Sequence, residues 1–268
     1  MKPKISVIMS FYNDEKYIGQ AIESILKQNF PDFEFLIVND GSKDKSSRIV
    51  KSFNDKRIRL IKNKKNLGLT KSLNIALSIA KGKYIARMDA DDISLPNRLK
   101  NQTEFLDENK GIALVGCWVE FIDVDGKTTG IKKFPVEYPE IKRVLISYLP
   151  FRHPTLMIRK KILNEVGFYD ENFHYAQDYE LVLRIAAKFP VANLPEVLLK
   201  YRNWVTSSIS YTTQKQQDFY ALRARFKALK AGWYPFWQAI YAVKPVISFL
   251  IPSMIKKPFA KKLFYKTS

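Results

Sequence analysis

The chain has 268 residues, 46% hydrophobic and 13% aromatic, which is enough apolar mass for a packed core and too much for a disordered chain. Its one cysteine, Cys117, excludes an intrachain disulfide framework, fits a reducing compartment, and reads as a small buried hydrophobe within its apolar stretch. A formal charge of +19 calls for anionic partners, among which nucleic acid, anionic lipid and phosphorylated substrate have to be separated.

The first hundred residues alternate two patterns. Ile5–Ser10, Phe33–Asn39, Arg57–Lys62 and Tyr84–Met88 are short apolar runs of the kind buried strands make. Between them, Glu15–Gln28 places Ile18, Ile22, Ile25 and Leu26 at helical spacing, with Asn13 or Asp14 as its expected N-cap. Lys43–Phe53 and Thr70–Ala80 are the next two helices. This alternation predicts βαβ units and a mostly parallel sheet. Pro96 opens a helix to about Asn109; Ala113–Asp123 is a strand, Asp125-Gly126 a turn, and a second strand follows. Helices near Glu137–Tyr148 and Asp178–Lys188 and a strand near Val191–Leu199 complete this half. Neither a signal-peptide h-region nor an apolar run of about 18 residues is visible, so no ordinary membrane span is expected.

Ligands of parallel sheets bind at the carboxyl ends of the strands. Those ends read Ser10-Phe11-Tyr12-Asn13-Asp14, Asn39-Asp40-Gly41-Ser42, Asn66-Leu67-Gly68 and Asp89-Ala90-Asp91-Asp92. Singly, Asp40-Gly41 is a turn, Tyr12 is packing and Asn66-Leu67-Gly68 is a helix entry. Together they suit a nucleotide diphosphate. Tyr12 can stack on a base and Asp40 can accept from a pyrimidine N–H or a ribose hydroxyl. Three carboxylates within four residues repel one another, and Asp89 and Asp91 are hard oxygen donors for Mn²⁺ or Mg²⁺.

These motifs resemble family 2 glycosyltransferases of the GT-A fold. Ile5–Asn13 resembles the family's opening strand, Val38-Asn39-Asp40-Gly41-Ser42 its second signature, and Arg87-Met88-Asp89-Ala90-Asp91-Asp92 its DXD metal motif, in register over about residues 4–210. The resemblance implies a Rossmann-like, mostly parallel sheet flanked by helices. It implies that Phe11, Tyr12, Asp40 and Asn66 lie at the nucleotide, that Asp89 contacts the donor's ribose or sugar, and that Asp91, with Asp89, ligates the metal. Lys71 stands where the family often has a basic donor-binding residue. Gln177-Asp178 is similar to the family's Glu-Asp motif at a helix start, with Gln177 in place of the first acid. It implies Asp178 as the base; without the resemblance, Asp178 reads as a helix N-terminal acid. Glu180, two residues on, is expected at the surface or behind the site.

Arg152-His153-Pro154-Thr155 also resembles a family element; His153 reads equally as a contact to diphosphate, metal or acceptor and as a satisfied structural histidine. Tyr201-Arg202 with Ser207–Ser210 resembles a segment that closes over the donor, which puts Arg202 near the diphosphate. The Gln-x-x-Arg-Trp motif of processive synthases is absent from Tyr201-Arg202-Asn203-Trp204, so addition of one sugar per acceptor is expected.

Ten basic residues and no acid follow Asp218, so about half of the excess charge sits in the last 50 residues. Mixed there with Trp233, Tyr234, Phe236 and Trp237, these cations suit a segment lying on an anionic membrane, or one packed on the catalytic domain with its lysines in water. No nucleic-acid-binding module is recognisable. The expectation is thus a catalytic domain over residues 1–212, with a donor half (1–100) and an acceptor half (101–212). A basic, helical extension over 213–268 follows it. The expected enzyme is an inverting transferase taking a UDP-sugar to a saccharide or lipid-linked saccharide in cell-surface polysaccharide synthesis. It would be cytoplasmic and peripheral on the inner face of the plasma membrane. A nucleotidyltransferase and a non-catalytic nucleotide-sugar binder are the alternatives.

Overall fold

The computed structural model describes residues 2–202 and 208–240. In the donor half, strands β1 (Ile5–Phe11), β2 (Phe33–Asn39), β3 (Ile58–Lys62) and β4 (Tyr84–Arg87) alternate with helices α1 (Ile18–Leu26), α2 (Ser46–Ser52) and α3 (Leu69–Ile79). There follow β5 (Ile93–Ser94), α4 (Arg98–Glu108), β6 (Leu114–Ile122), β7 (Thr128–Lys132), α5 (Tyr138–Leu145), β8 (Met157–Arg159), α6 (Lys160–Val166), α7 (Gln177–Lys188), β9 (Val191–Arg202) and α8 (Ser208–Lys230).

One nine-stranded sheet in the order β3-β2-β1-β4-β8-β6-β9-β5, with β7 on the edge of β6, runs through both halves. β1, β2, β3 and β4 pair in parallel, and β6 pairs in parallel with β9. β5, β7 and β8 run against their neighbours. This is the GT-A architecture: a curled, mostly parallel sheet between two helical layers.

The strand sequences account for the layering. In β1, Ile5, Val7, Met9 and Phe11 join the core beneath α1, α2 and α4, while Ile8 joins the core beneath α3, α5, α6, α7 and α8. β2 divides its side chains likewise, Phe33, Phe35 and Ile37 to one core and Leu36 and Val38 to the other. Strands buried on both faces need continuous apolar runs, which is why these segments do not alternate with polar residues. Burying each such side chain stabilises by about 1.5–3 kcal/mol.

Two short strands were not expected. β8 inserts between β4 and β6, and its lead-in is bonded to the end of β4 (Arg87 N to Leu156 O, 2.9 Å). That insertion carries His153 to the carboxyl edge of β4. α1 also begins later than expected. Its N-cap is Tyr17 without a side-chain cap, and Asp14 instead contributes its carbonyl to Tyr17 and Ile18 (3.1 Å each).

Candidate active site

Parallel register brings the strand ends together, Phe11 beside Asn39 and Asn39 beside Lys62. The loops after β1 and β2 are laced by side chains. Ser42 Oγ accepts from Asn13 N (3.0 Å), Asn13 Oδ1 from Lys43 N (2.9 Å), and Ser46 Oγ from Asp14 N (2.9 Å). Asn13 takes a left-handed conformation, φ 58°, which asparagine tolerates better than most residues. Tyr12 emerges from this lacing with its side chain exposed (45%). Phe11 does not: its ring is buried in the core, and its contribution here is the carbonyl that accepts from Asp40 N (2.9 Å). The aromatic face at this edge is therefore Tyr12's alone of the two.

Asp40 is 3% exposed. Its Oδ1 accepts from Asn63 Nδ2 and Leu67 N (2.8 Å each), and its Oδ2 from Gly68 N (2.9 Å). A carboxylate has about four acceptor positions, so one remains for a ligand. Asn66 is exposed and caps Gly68 N through Oδ1 (3.0 Å). Lys71 stands exposed on the first turn of α3.

The acid cluster divides by role. Asp89 is half-buried and ion-paired to the buried Arg87. Asp91 is half-buried beside it. Asp92 turns inward: its Oδ1 accepts from Arg202 N (2.8 Å), Oδ2 is buried without a partner, and burial, then the charges of Asp91 and Asp89, push its carboxyl well above the ordinary range. Arg202 was expected at the diphosphate. The structure turns its guanidinium beneath this loop, 2% exposed, donating to Asp91 O (2.9 Å) and Asp123 O (2.7 Å) and lying 4.1 Å from the Tyr17 ring centroid. Arg202 thus fixes the Asp92 carboxylate through its backbone N–H and the Asp91 carbonyl through its guanidinium.

A fourth acid faces the cluster and had no signal in its residue type alone. Asp14 is pushed up to about 6 by burial and by the charges of Asp91, Asp89 and Asp44, against a hydrogen bond from Tyr12 N. Among the described residues no three His, Cys, Asp or Glu side chains converge as a closed metal cage. Hard divalent ions in phosphate-transfer sites are held by one or two carboxylates plus phosphate oxygens. The mutual repulsion of Asp14, Asp89 and Asp91 fits that donor set.

From the second half, α7 presents Asp178 in its first turn. Its Oδ1 accepts from Tyr179 N (2.8 Å). The carboxyl keeps a little exposure but is walled by protein, and burial raises it, with Asp89's charge adding to the rise. Asp89 and Asp178, from the two parts of the chain, therefore lie close enough for the charge of one to act on the other. His153 is buried, with Nε2 2.8 Å from the Tyr169 hydroxyl, and burial with Arg87's charge holds it neutral. Its bond to Tyr169 favours the structural of its two readings. Arg152, beside it, lies over the rings of Tyr201 (5.4 Å), Phe121 (5.6 Å) and Phe134 (5.8 Å), and its charge favours the ionised form of Asp178.

Glu180 is not at the surface. It is 1% exposed and paired to Arg184 (2.6 Å) and Lys227 (2.7 Å). Asn203, Trp204 and Ser207 lie outside the described residues, as do residues 241–268.

Residues 6–167 match the family described as Glycosyl transferase family 2. A glycosyltransferase of Methanocaldococcus jannaschii is 38% identical over 272 aligned residues, covering 96% of this chain and 92% of its own. The amylovoran biosynthesis glycosyltransferase AmsE of Erwinia amylovora is 35% identical, over 74% of this chain and 75% of that one. Among solved structures, S. aureus TarS 1-349 in complex with UDP-GlcNAc superposes with a TM-score of 0.65 at 23% identity, over 82% of this chain and 66% of that one. The mannosyltransferase PcManGT of Pyrobaculum calidifontis, in complex with GDP-Man and Mn2+, superposes with a TM-score of 0.69 at 18% identity, over 99% and 82%. At those identities the two structures speak for the fold.

Proposed function

This chain belongs to glycosyl transferase family 2, and we propose that it moves a sugar from a UDP-sugar onto a hydroxyl of a saccharide or lipid-linked saccharide, with inversion, in the assembly of a cell-surface polysaccharide. The support for the acceptor class is AmsE, a relative named for polysaccharide biosynthesis; for the donor it is the UDP-GlcNAc complex of a protein with this fold.

The observation that carries the mechanism is the pairing of a donor-side acid, Asp89, with a half-buried carboxylate, Asp178, that heads α7 and is raised in part by Asp89's own charge. A carboxyl raised in this way is a stronger base than an ordinary carboxylate. In this reading Asp178 takes the proton of the acceptor hydroxyl as its oxygen attacks the anomeric carbon. Attack comes from the side opposite the diphosphate, whose bond to that carbon breaks, so the configuration inverts and UDP leaves. Only one carboxylate is required, unlike the pair of a hydrolase. Tyr12 stacks on the base, the last acceptor position of Asp40 takes its N–H, and Asn66 and Lys71 border the phosphates. Asp91 with Asp89 would hold Mn²⁺ or Mg²⁺, which supplies charge neutralisation for the departing diphosphate. Arg202 serves this reading by fixing the Asp91 loop rather than by touching phosphate.

The outer side of α8 favours a surface role at a membrane. Phe219, Phe226 and Lys230 fall at spacings that share one helical stripe, all exposed. Phe236 (84% exposed), Trp237 and Ile240 continue it. Aromatics alternating with cations suit an anionic bilayer surface, on the inner face of the plasma membrane in this reading. Among the described residues no helix is long and apolar enough to cross a membrane.

Nucleotide release measured over a panel of sugar donors, with and without Mn²⁺, tests the reaction. Full turnover in excess chelator would remove the metal, and wild-type turnover by Asp178→Asn would remove the base.

A further inference from the structure

The segment that delivers Asp178 is under backbone strain. Ala176, two residues before it, is left-handed (φ 53°, ψ 25°). An L-residue with a Cβ pays roughly 1–2 kcal/mol in that region, so the conformation persists only where neighbours over-determine it. Within the catalytic domain, Thr70 Oγ1 donates to Phe173 O (2.8 Å). Many of the other restraints come from α8, some 45 residues further along the chain.

The inner side of α8 grips both ends of this segment. Lys227 Nζ bonds Asp170 Oδ2 on the approach and Glu180 Oε1 on α7, each at 2.7 Å, and lies 5.4 Å from the Phe173 ring centroid. The Tyr220 ring meets Phe173 (6.0 Å), His174 (6.1 Å) and Tyr175 (5.8 Å). Arg223 Nη1 donates to Asn172 O (3.2 Å). Arg225 Nε donates to the Tyr179 hydroxyl (3.1 Å), and its Nη2 to Ser147 O (2.6 Å). The two residues after Asp178, Tyr179 and Glu180, are thus each tied to a cation of α8. Glu180 is 1% exposed. Arg184 (2.6 Å) also holds this carboxylate, so loss of Lys227 removes one of two cations from a buried charge.

We propose that Lys227 and Tyr220 are positioning residues for Asp178. They hold the 170–176 segment and the start of α7 in the register that aims the carboxylate into the cleft. The inference rests on Asp178 being the base, and it adds that α8 belongs to the catalytic apparatus through two residues that act on Asp178 indirectly.

The experiment compares Lys227→Met, Lys227→Arg, Tyr220→Leu and Asp178→Asn in the full chain. It reads kcat and KM for sugar-nucleotide turnover, the dissociation constant of UDP with Mn²⁺, and the melting temperature. A small misplacement of a catalytic group costs up to about 100-fold in rate. Lys227→Met is expected to lower kcat about tenfold or more, and Tyr220→Leu several-fold, with KM and UDP affinity within about twofold of wild type. Lys227→Arg is expected to recover most of the rate. Tyr220→Leu strands no buried charge, so it keeps the test open if Lys227→Met folds poorly. The proposal is overturned if kcat of both Lys227→Met and Tyr220→Leu stays within about twofold of wild type, or if kcat and UDP affinity fall together. Inactive Asp178→Asn beside fully active α8 variants removes the positioning role alone. Active Asp178→Asn removes the base and the positioning role with it.

Discussion

At the scale of single residues, the base proposed above, Asp178, would tie activity to stability. Its carboxyl is raised by burial and by Asp89's charge, and a raised acid binds its proton more tightly folded than unfolded. Folding stability therefore increases as pH falls through its folded pKa, and the ionised form is a cost at neutral pH. Asp178→Asn keeps an oxygen for Tyr179 N and drops the charge. The variant is expected to lose about 100-fold or more in turnover while its melting temperature at pH 7 rises by a few degrees. A pH–rate profile belongs with it: the base must be ionised, so the wild-type acid limb is expected above the ordinary carboxylate value near 4. An acid limb at or below that value would contradict the burial described for this group. Asp40 makes the opposite case, since its three hydrogen bonds hold Asn63, Leu67 and Gly68. Asp40→Ala is expected to cost about 2–4 kcal/mol in urea denaturation, as well as weakening UDP binding.

Elements explain where the sequence was readable. β1, β2 and β4 announced themselves because their apolar runs fill both faces of a buried strand, whereas β3, half-exposed at the sheet edge, showed only Ile58, Leu60 and Ile61 among Arg59 and Lys62. β5 and β8 were silent: two and three residues have no periodicity, and both become strands only by pairing with β9 and with β4 and β6. The acid cluster was legible as three carboxylates, but not its division of labour, because Asp92 is set inward by Arg202, 110 positions away. Glu180 was left between the surface and a place behind the site for a similar reason, since the lysine that pairs with it in the interior comes from α8. Gly41 connects the two levels. Its φ is +77°, and a Cβ there would lie 2.7 Å from Asn66 N and from Lys65 C. Gly41→Ala therefore has to push the loop after β3 away from Asp40. It is expected to weaken UDP binding, read by titration, with a stability loss of about 1–3 kcal/mol. Arg202→Lys is expected to weaken Mn²⁺-dependent UDP binding several-fold, because a lysine cannot span Asp91 O and Asp123 O with a fixed fork; unchanged binding would leave Arg202 with no part in holding that loop.

For the whole molecule, the extension divides at Pro235. Trp233 packs against the core and Tyr234 is 2% exposed there, whereas Phe236, Trp237 and Ile240 face outward. A chain ending at Pro235 keeps every contact between α8 and α7 described above. It is expected to bind UDP and turn over as the full chain does, while sedimenting at least several-fold less with phosphatidylglycerol vesicles. Equal sedimentation would assign the membrane contact elsewhere.

The tie between α8 and the base also has a consequence in time. A chain is synthesised from its amino end, and its parts fold as they emerge. The residues proposed for the donor, Tyr12 through Asp91, all emerge well before Asp178. The residues flanking Asp178, Tyr175 and Glu180, acquire their partners Tyr220 and Lys227 only after some 40 further residues have been made. A nascent or prematurely stopped chain would bind a sugar nucleotide long before it could spend one, so the ribosome delivers a receptor first and a catalyst last.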